Sequence, residues 1–401
     1  MNKENILSKI SKMSEEELIN LACNTSDVEI LNKLAKNENC EVRCAVAGNK
    51  NTPANMLTML AQDKDEDVRS EVALNENTSV NVLVMLASDK DWWVRCVVAS
   101  NKNTPIESLT VLVQDEVCSV RSYVARNENT SKEALAVLAK DIDWRVRKAV
   151  ASNKNAPEEV LSNLAKDDVY EVRTAVAING NTSADVLAML AKDKYFFVRC
   201  AVAENENTPK EALAVLAKDD VYEVRTAVAA NRNTSADTLA ILAKDEDIDV
   251  REAVAANENT SADVFTMLAK DEHEGVRQYV AMNTNTPAEL LSELAKDEDD
   301  DVRRTVAGNK NTPIEFLAVL AQDENWLVRE QVALNASTSA DVLTMLAKDE
   351  NIKVRHAVTE NKSTSVETLV MLSHDKEFWA ENYAKKALRE RKGKEKNSIE
   401  R

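Results

Sequence analysis

Apolar and polar positions follow one pattern that repeats every 26 residues along most of the chain. The repeat unit reads V-R-x-x-V-A-x-N-x-N-T-[P/S]-x-x-x-L-x-x-L-A-x-D-x-x-x-x, and its positions are numbered from the valine. Positions 1, 2, 5, 8, 19 and 22 hold Val, Arg, Val, Asn, Leu and Asp in all thirteen units between Val42 and Trp379. A fixed period of this length predicts a solenoid of stacked units.

Each unit is predicted to form two short helices. The apolar positions 1, 5 and 6, such as Val172, Val176 and Ala177, predict a first helix from about position 24 to position 7 of the next unit. Leucines at positions 16 and 19 and an alanine at position 20 predict the buried stripe of a second helix. We expect the threonine at position 11 to be its N-cap, with Pro or Ser at position 12 as its first residue. Helices this short are marginal alone, so stacking must stabilise them.

Three invariant polar positions predict ladders between units. Asp at position 22 and Arg at position 2 lie six residues apart, and we expect each Arg to bridge the Asp of its own helix and that of a neighbour. Asn at position 8 is expected to end the first helix, where it tolerates a left-handed conformation and can bond to backbone, and to form a second ladder. The predicted ladder residues are Arg69, Arg95, Arg121, Arg147 and Arg173, then Asp63, Asp89, Asp115, Asp141 and Asp167, then Asn75, Asn101 and Asn127.

The predicted organisation has three parts. Residues 1–41 are expected to form a helical N-terminal cap that contains a degenerate half-unit. Residues 42–379 hold the thirteen units, and residues 380–401 are expected to form a basic capping helix and tail. A polar cap at each end is needed because a terminal repeat would otherwise expose its apolar stacking face. The predicted fold is therefore an all-α solenoid of two-helix repeats.

Composition argues against several classes of protein. Five glycines in 401 residues argue against phosphate-binding loops, nucleotide-binding folds and β-hairpin proteins, since these need positive φ angles. The sequence contains no run of 18 apolar residues, and its first residues lack the uninterrupted apolar segment of a secretion signal. We therefore expect no membrane span and a cytoplasmic location.

The charge of the chain is unevenly distributed, and it indicates which class of partner to expect. The net charge is −18, from 69 acidic and 51 basic side chains. Residues 380–401 carry eight basic and four acidic side chains, or +4, which leaves −22 on residues 1–379. An acidic body repels a phosphate backbone, so nucleic acid is not the expected partner. It favours a protein or peptide of basic character.

The repeat resembles the leucine-rich repeat variant family, a HEAT-like class of bacterial repeats. The resemblance rests on V-R-x-x-V-A-x-N followed by N-T-P-x-x-x-L-x-x-L-A-x-D, and it covers residues 42–379. It implies an α-helix paired with a second, often 3-10, helix in each unit, and a right-handed superhelix. One founding type of the family carries an N-terminal iron–sulfur domain, for which this chain lacks four cysteines close together. The resemblance implies no activity.

The aromatic residues are the most unevenly placed. Eleven of sixteen lie at positions 24 to 26, which is the start of the first helix. One interpretation is a staple that packs beside the ladder arginine and shields it. The other is an exposed binding edge, because Trp and Tyr dominate interface hot spots. The candidate partner-binding residues are Trp92, Trp93, Trp144, Tyr170, Tyr195, Phe196, Phe197 and Tyr222.

Other candidate chemistry is weak, and no catalytic residue, cofactor or metal site is predicted. Cys40 and Cys44 with Cys23 leave a metal or cluster as an alternative, but the cysteines fit scattered small side chains better. Acidic clusters such as 297–301 lie where a first helix begins, and negative charge there suits the helix dipole. The Met-rich position 18 is expected to be close-packed core, with an adaptable groove as the alternative.

These patterns together predict a non-enzymatic scaffold that binds a protein or peptide along an extended acidic surface with an aromatic edge. We expect a monomer, with the contact zone in the aromatic units between Trp92 and Tyr222 and with the acidic residues 245–301 steering a basic segment. One alternative is a nucleic-acid-binding HEAT-like solenoid. A second is a metalloprotein or an accessory subunit of an enzyme.

Overall fold

The computed structural model describes the backbone of residues 9–399 and the side chains of residues 9–391. The chain forms two compact halves, Met1–Asn207 and Thr208–Arg401. All regular structure in residues 9–399 is helical, and helices alternate in two lengths along the chain. The all-α repeat fold predicted from the sequence is confirmed.

The N-terminal half begins with the 3-10 turn Ile10–Lys12, followed by α1 to α15. Odd numbers are first helices and even numbers are second helices of a unit. These helices are α1 (Glu15–Asn24), α2 (Val28–Leu34), α3 (Cys40–Gly48), α4 (Ala54–Leu60), α5 (Glu66–Leu74), α6 (Val80–Leu86), α7 (Trp92–Ser100), α8 (Ile106–Leu112), α9 (Cys118–Arg126), α10 (Lys132–Leu138), α11 (Trp144–Ser152), α12 (Glu158–Leu164), α13 (Tyr170–Ile178), α14 (Ala184–Leu190) and α15 (Phe196–Glu204).

The C-terminal half continues the same alternation. Its helices are α16 (Lys210–Leu216), α17 (Tyr222–Ala230), α18 (Ala236–Leu242), α19 (Ile248–Ala256), α20 (Ala262–Leu268), α21 (Glu274–Met282), α22 (Ala288–Leu294), α23 (Asp300–Gly308), α24 (Ile314–Leu320), α25 (Trp326–Leu334), α26 (Ala340–Leu346), α27 (Ile352–Glu360), α28 (Val366–Leu372) and α29 (Phe378–Ile399).

The core lies between the two helices of each unit. In the unit of α13 and α14, Val172, Val176 and Ala177 of the first helix and Leu187 of the second are completely buried. Within each half, each first helix packs against the first helices of the adjoining units, as α11 does against α9 and α13. Because every unit buries its apolar stripe against a neighbour, burial stabilises helices that are too short to persist alone.

The threonine at position 11 has a different role from the one predicted. Thr104 is buried, and its hydroxyl donates a hydrogen bond of 2.5 Å to the carbonyl of Val98, near the end of the preceding first helix. The N-cap of the second helix is instead position 12, Pro105 in this unit. The prediction of a threonine N-cap is therefore wrong. A proline is tolerated as the cap because the amide there needs no partner within the helix.

Within each half, the ladder arginines bind the aspartate twenty residues further along the chain. Arg95 donates from Nε and Nη2 to the two carboxylate oxygens of Asp115, at 2.5 and 3.0 Å. Its Nη1 donates to the carbonyl oxygen of Asp89, at the start of its own helix, at 2.8 Å. The predicted contact with the nearer aspartate is thus made by that residue's backbone, because the carboxylate of Asp89 is bound by Arg69.

The same bidentate bridge recurs along both halves. In twelve bridges, six in each half, the Nε–Oδ2 distance lies between 2.5 and 2.8 Å, and both side chains are largely buried. In the N-terminal half the bridges are Arg43–Asp63, Arg69–Asp89, Arg95–Asp115, Arg121–Asp141, Arg147–Asp167 and Arg173–Asp193.

Within each half, the asparagine at position 8 binds the unit before it. Asn127 donates from Nδ2 to the carbonyls of Ala99 and Asn101, at 2.7 and 3.1 Å. Its Oδ1 accepts from the amide of Asn129 at 2.9 Å. The residue is buried and ends its helix with φ −69° and ψ 130°, so the left-handed conformation that asparagine tolerates is not adopted here. An extended backbone directs the amide group towards the preceding unit. Asn75 and Asn101 make the same contact with Ala47 and Ala73.

The last helix continues the repeat register with changed residues. Ala380 and Ala384 of α29 are fully buried at positions 1 and 5, where the thirteen units have valine. The ladder position 8 is Ala387. Arg391, one turn further on, donates to the carbonyls of Thr364 and Lys362, at 2.5 and 3.0 Å. Its guanidinium satisfies carbonyl groups at the last loop of the array.

Removal of one ladder partner should destabilise the N-terminal half. We predict that Arg121→Met lowers the free energy of unfolding by about 3 kcal/mol, because Asp141 keeps its charge without a counterion. Urea denaturation followed by circular dichroism measures this. Lys102→Met is the matched control, since it breaks an exposed ion pair with Glu76 and should cause no measurable change. Equal effects of both substitutions would contradict the role of the buried ladder.

The ladder also predicts a loss of stability in acid. Burial raises the pKa of Asp141 and Asp167, but hydrogen bonds from Arg121 and Arg147 and from the backbone outweigh it and hold each pKa below its usual value. A lowered folded pKa stabilises the protein above the unfolded pKa of about 3.9, and this is lost as the pH falls through the folded value. The free energy of unfolding should therefore be level from pH 7 to 5 and fall below about pH 4. A decline that is complete by pH 5 would contradict this.

Candidate interaction surface

Within each half, the first helices share a face that is formed by the variable positions of the repeat. Positions 26, 3, 4 and 7 share it, because they follow one another at helical spacing. In α13 these positions hold Glu171, Thr174, Ala175 and Ile178. All four line the same groove, so the variable positions of the repeat form one surface.

One aromatic cluster lies at the start of α7. The rings of Trp92 and Trp93 meet edge to face at 5.8 Å, and Trp93 meets Tyr123 of α9 in the same way at 6.5 Å. Both tryptophans are exposed, at 46% and 43%. Asp91 accepts from the amides of Trp93 and Val94 and caps this helix. Tyr123, at position 4, was not among the residues predicted from the sequence.

A second aromatic cluster joins α13 and α15. Tyr170 stacks on Tyr195 at 4.8 Å and on Phe197 at 6.1 Å, and Phe196 lies 4.0 Å from Phe197. The guanidinium carbon of the ladder residue Arg173 lies 5.6 Å from the ring centre of Tyr195. Tyr170 and Phe196 are half-buried, whereas Tyr195 and Phe197 are exposed. This cluster therefore contains ring contacts of the kind a staple makes and exposed rings of the kind a binding edge needs.

Two predicted aromatic residues lie apart from these clusters. Trp144, at the start of α11, is half-buried, and the guanidinium carbon of Arg145 lies 5.4 Å from its ring centre. Tyr222, at the start of α17, belongs to the C-terminal half and is exposed. The predicted residues are therefore two clusters and two single rings.

A groove of about 460 Å³ lies between α11, α13 and α15. Its apolar wall is formed by the aromatic rings of Tyr170 and Phe197, by the buried Ala175 and by Ile178, which is 65% exposed. Lys148, Lys154, Ser152, Glu171, Thr174, Asn179 and Gly180 complete the lining. Sequence reasoning placed Tyr170 and Phe197 in a contact zone but did not identify the groove.

Gly180 leaves the groove open at one end. It occupies position 9, where the other twelve units carry a side chain. A Cβ atom at Gly180 would meet no atom within 4 Å, and none of the described glycines has a positive φ. Neither packing nor backbone conformation therefore requires glycine here. The sequence contains this signal, because the preceding units alternate Lys50, Glu76, Lys102, Glu128 and Lys154 at this position.

The groove is locally basic although the chain is acidic. Lys148 and Lys154 line it against one carboxylate, Glu171. Lys154 pairs with Glu128 at 2.8 Å, but both side chains are about two-thirds exposed, so the pair is weak. Two more basic residues occupy equivalent positions one unit earlier. Arg126 of α9 stands at position 7, as Ser152 does in the groove lining, and Arg145 of α11 stands at position 26, as Glu171 does.

The second helices expose an apolar column that was predicted to be core. Position 18 is apolar in eleven units, and these side chains are exposed rather than packed. Position 18 lies two residues beyond the buried leucine at position 16, on the opposite side of the helix. In the N-terminal half the exposed residues at this position are Met59, Met85, Val111, Val137 and Met189.

The remaining titratable clusters have ordinary structural surroundings. Burial raises the pKa of the Cys44 and Cys96 thiols to about 12, so neither is a ready nucleophile or metal ligand. Asp299, Asp300 and Asp301 bring carboxylate oxygens within 4.8 Å of one another. Asp299 is the N-cap of α23 and accepts from the amide of Val302, as acidic residues at helix starts commonly do.

Membrane insertion finds no support in the helices. In residues 9–399, no helix combines the length and the apolar character that crossing a bilayer requires.

Comparison with solved structures finds other helical repeat proteins. A structure described as a leucine-rich repeat variant with a novel repetitive structural motif is 27% identical, over 56% of this chain and 88% of that chain, with a TM-score of 0.44. Kap121p bound to Ste12p is 12% identical over 93% of this chain, and importin beta is 13% identical over 98%. Their TM-scores are 0.40 and 0.28, and the matches span 48% and 55% of those chains, about half their length.

Comparison of sequences identifies the repeat. A search of the curated proteins gave no significant match. The family model of the leucine rich repeat variant matches residues 222–247, which have the length of one unit. All thirteen units share the six invariant residues of that segment's register. The predicted resemblance to the leucine rich repeat variant family is confirmed by this match at residues 222–247.

Proposed function

We propose that this protein is a non-enzymatic scaffold that binds a protein or peptide on its first-helix face. The observation that carries the proposal is the pair of aromatic clusters on the same face of the N-terminal half, with Trp93 43% and Phe197 52% exposed. Exposed Trp and Phe in clusters mark protein interaction sites, since a soluble protein gains nothing from leaving them in water.

The rigidity of the scaffold supports this role. Trp93 and Phe197 begin helices that are held by the buried ladders, so their positions are set before a partner arrives. A surface that is already ordered loses little entropy on binding. The proposal includes a cytoplasmic monomer without catalytic residues.

A basic segment of the partner is proposed to bind the C-terminal half. Glu274, Asp299, Asp300 and Asp301 lie at the starts of α21 and α23, and Asp249 lies at the equivalent place in α19. Carboxylates clustered at successive helix starts create a negative potential that attracts lysine and arginine and raises the association rate.

Affinity capture tests the proposed surface. The bait is the full-length protein, the source is native host lysate with and without nuclease, and the variant is Trp93→Ser with Phe197→Ser. We predict that a protein partner captured by the wild type is lost with the variant. Removing an aromatic side chain that a partner covers typically weakens binding by about 2 kcal/mol or more per residue. The matched control is Val111→Ser with Met189→Ser, which removes exposed apolar side chains from the second helices and should retain the partner.

Circular dichroism checks that both variants keep their helical content. Retention of the partner by the aromatic variant and its loss with the control would contradict the proposed surface. Nuclease-sensitive capture would favour the nucleic-acid alternative.

A further inference from the structure

We propose that the groove between α11, α13 and α15 binds an extended peptide segment in which a bulky apolar side chain stands beside an acidic residue. This rests on the proposed function and specifies the chemistry of the bound segment at this site. An acidic residue in the bound segment is the opposite of what the net charge of −18 favours, since that charge alone favours a basic partner.

The apolar wall of the groove selects a bulky side chain. The rings of Tyr170 and Phe197 are 6.1 Å apart at an angle of 23°, and Ala175 and Ile178 extend the apolar surface along α13. A volume of about 460 Å³ falls within the range of about 300–1,000 Å³ that is usual for ligand sites. It exceeds what one side chain needs, so the groove can hold an anchor residue together with part of its neighbours.

The rim of the groove selects a carboxylate. Lys148 and Lys154 are exposed at the rim, opposed by Glu171, and among the described residues Lys148 and Glu171 make no ion pair. An acidic residue that follows the segment towards α9 would meet Arg126, which is exposed at the equivalent of Ser152. Lys148 and Arg126 therefore present the cations for such a carboxylate, since Lys154 is paired with Glu128.

Gly180 leaves one end of the groove without a side chain. In the preceding units, Lys102 pairs with Glu76 and Lys154 with Glu128 across position 9. The alternation would place a glutamate at 180, and its side chain would extend over the groove lining. Glycine removes this obstruction, so a carboxylate of the partner can take that place.

A peptide supplies both groups at the required spacing. Successive residues of an extended chain are about 3.3 Å apart, and an anchor and an acidic neighbour therefore reach the wall and the rim together. The groove crosses three successive helices, which suits a segment that lies across them.

Selection from a random library tests the proposal without knowledge of the natural partner. Displayed random 12-residue peptides are selected on the full-length protein, and the enriched peptides are synthesised with a fluorescent label. Fluorescence anisotropy then gives Kd for the wild type and for Gly180→Glu, Lys148→Glu and Ala336→Glu. Ala336→Glu is the matched control for Gly180→Glu, because it makes the same change in charge at repeat position 9 of the C-terminal half.

We expect enriched peptides with a large apolar residue within two positions of Asp or Glu. Gly180→Glu and Lys148→Glu should each raise Kd by about tenfold, the effect of losing one charge-assisted contact, while Ala336→Glu leaves it unchanged. The wild-type Kd should rise with salt concentration, and thermal unfolding should be the same for all variants.

Three results would overturn the inference. They are the absence of enriched peptides that pair an apolar residue with Asp or Glu, equal affinity of the wild type and Gly180→Glu, or no enrichment at all. Peptides that bind Gly180→Glu as well as the wild type but lose affinity for Trp93→Ser, which lies outside the groove, would leave the proposed function in place and refute this site alone. No enrichment would count against both.

Discussion

The buried bridge between arginine and the aspartate twenty residues further on is the constraint on which the rest of the structure depends. Arg95 uses three nitrogen atoms to fix the carboxylate of Asp115 and the backbone of Asp89. An insertion of one residue between these partners would leave buried charges unpaired, at a cost of several kcal/mol. The strict period of 26 residues follows from this geometry, and Asn127, which binds backbone of the preceding unit, adds a second constraint on the same register.

A fixed register gives each variable position of the repeat a defined place on the surface. Since equivalent residues of successive units lie side by side, a change at one position alters one place on a continuous face. Trp93 and Phe197 occupy position 26, which is mostly polar elsewhere, and Gly180 replaces a charged residue at position 9. The buried core and the ladders maintain the fold, so these positions are free to vary for binding. Their effects should be separable from folding, unlike those of substitutions at Arg95 or Asp115.

The repeat, its two helices and the identity of the ladder residues could be predicted from the sequence, because periodicity and invariance report burial directly. The role of Thr104 could not, since a hydroxyl both accepts at a helix start and donates at a helix end, and only the structure shows which. Helical geometry alone places position 18 on the solvent side of the second helix, whereas its apolar character favours core. The exposure of Phe197 depends on the rings of Tyr170 and Phe196 beside it. A comparison of one repeat position at a time does not combine these three residues.

The central claim is that partners bind the first-helix face rather than the apolar column of the second helices. Site-specific photocrosslinking tests this most directly, with benzoylphenylalanine placed either at Ile178, 65% exposed in the groove, or at Val137, 50% exposed on a second helix. Both probes replace an exposed aliphatic residue, so stability should be equal. The account predicts that irradiation in native host lysate gives an adduct with a protein from the probe at 178 and none from the probe at 137. An adduct from 137 alone would contradict it.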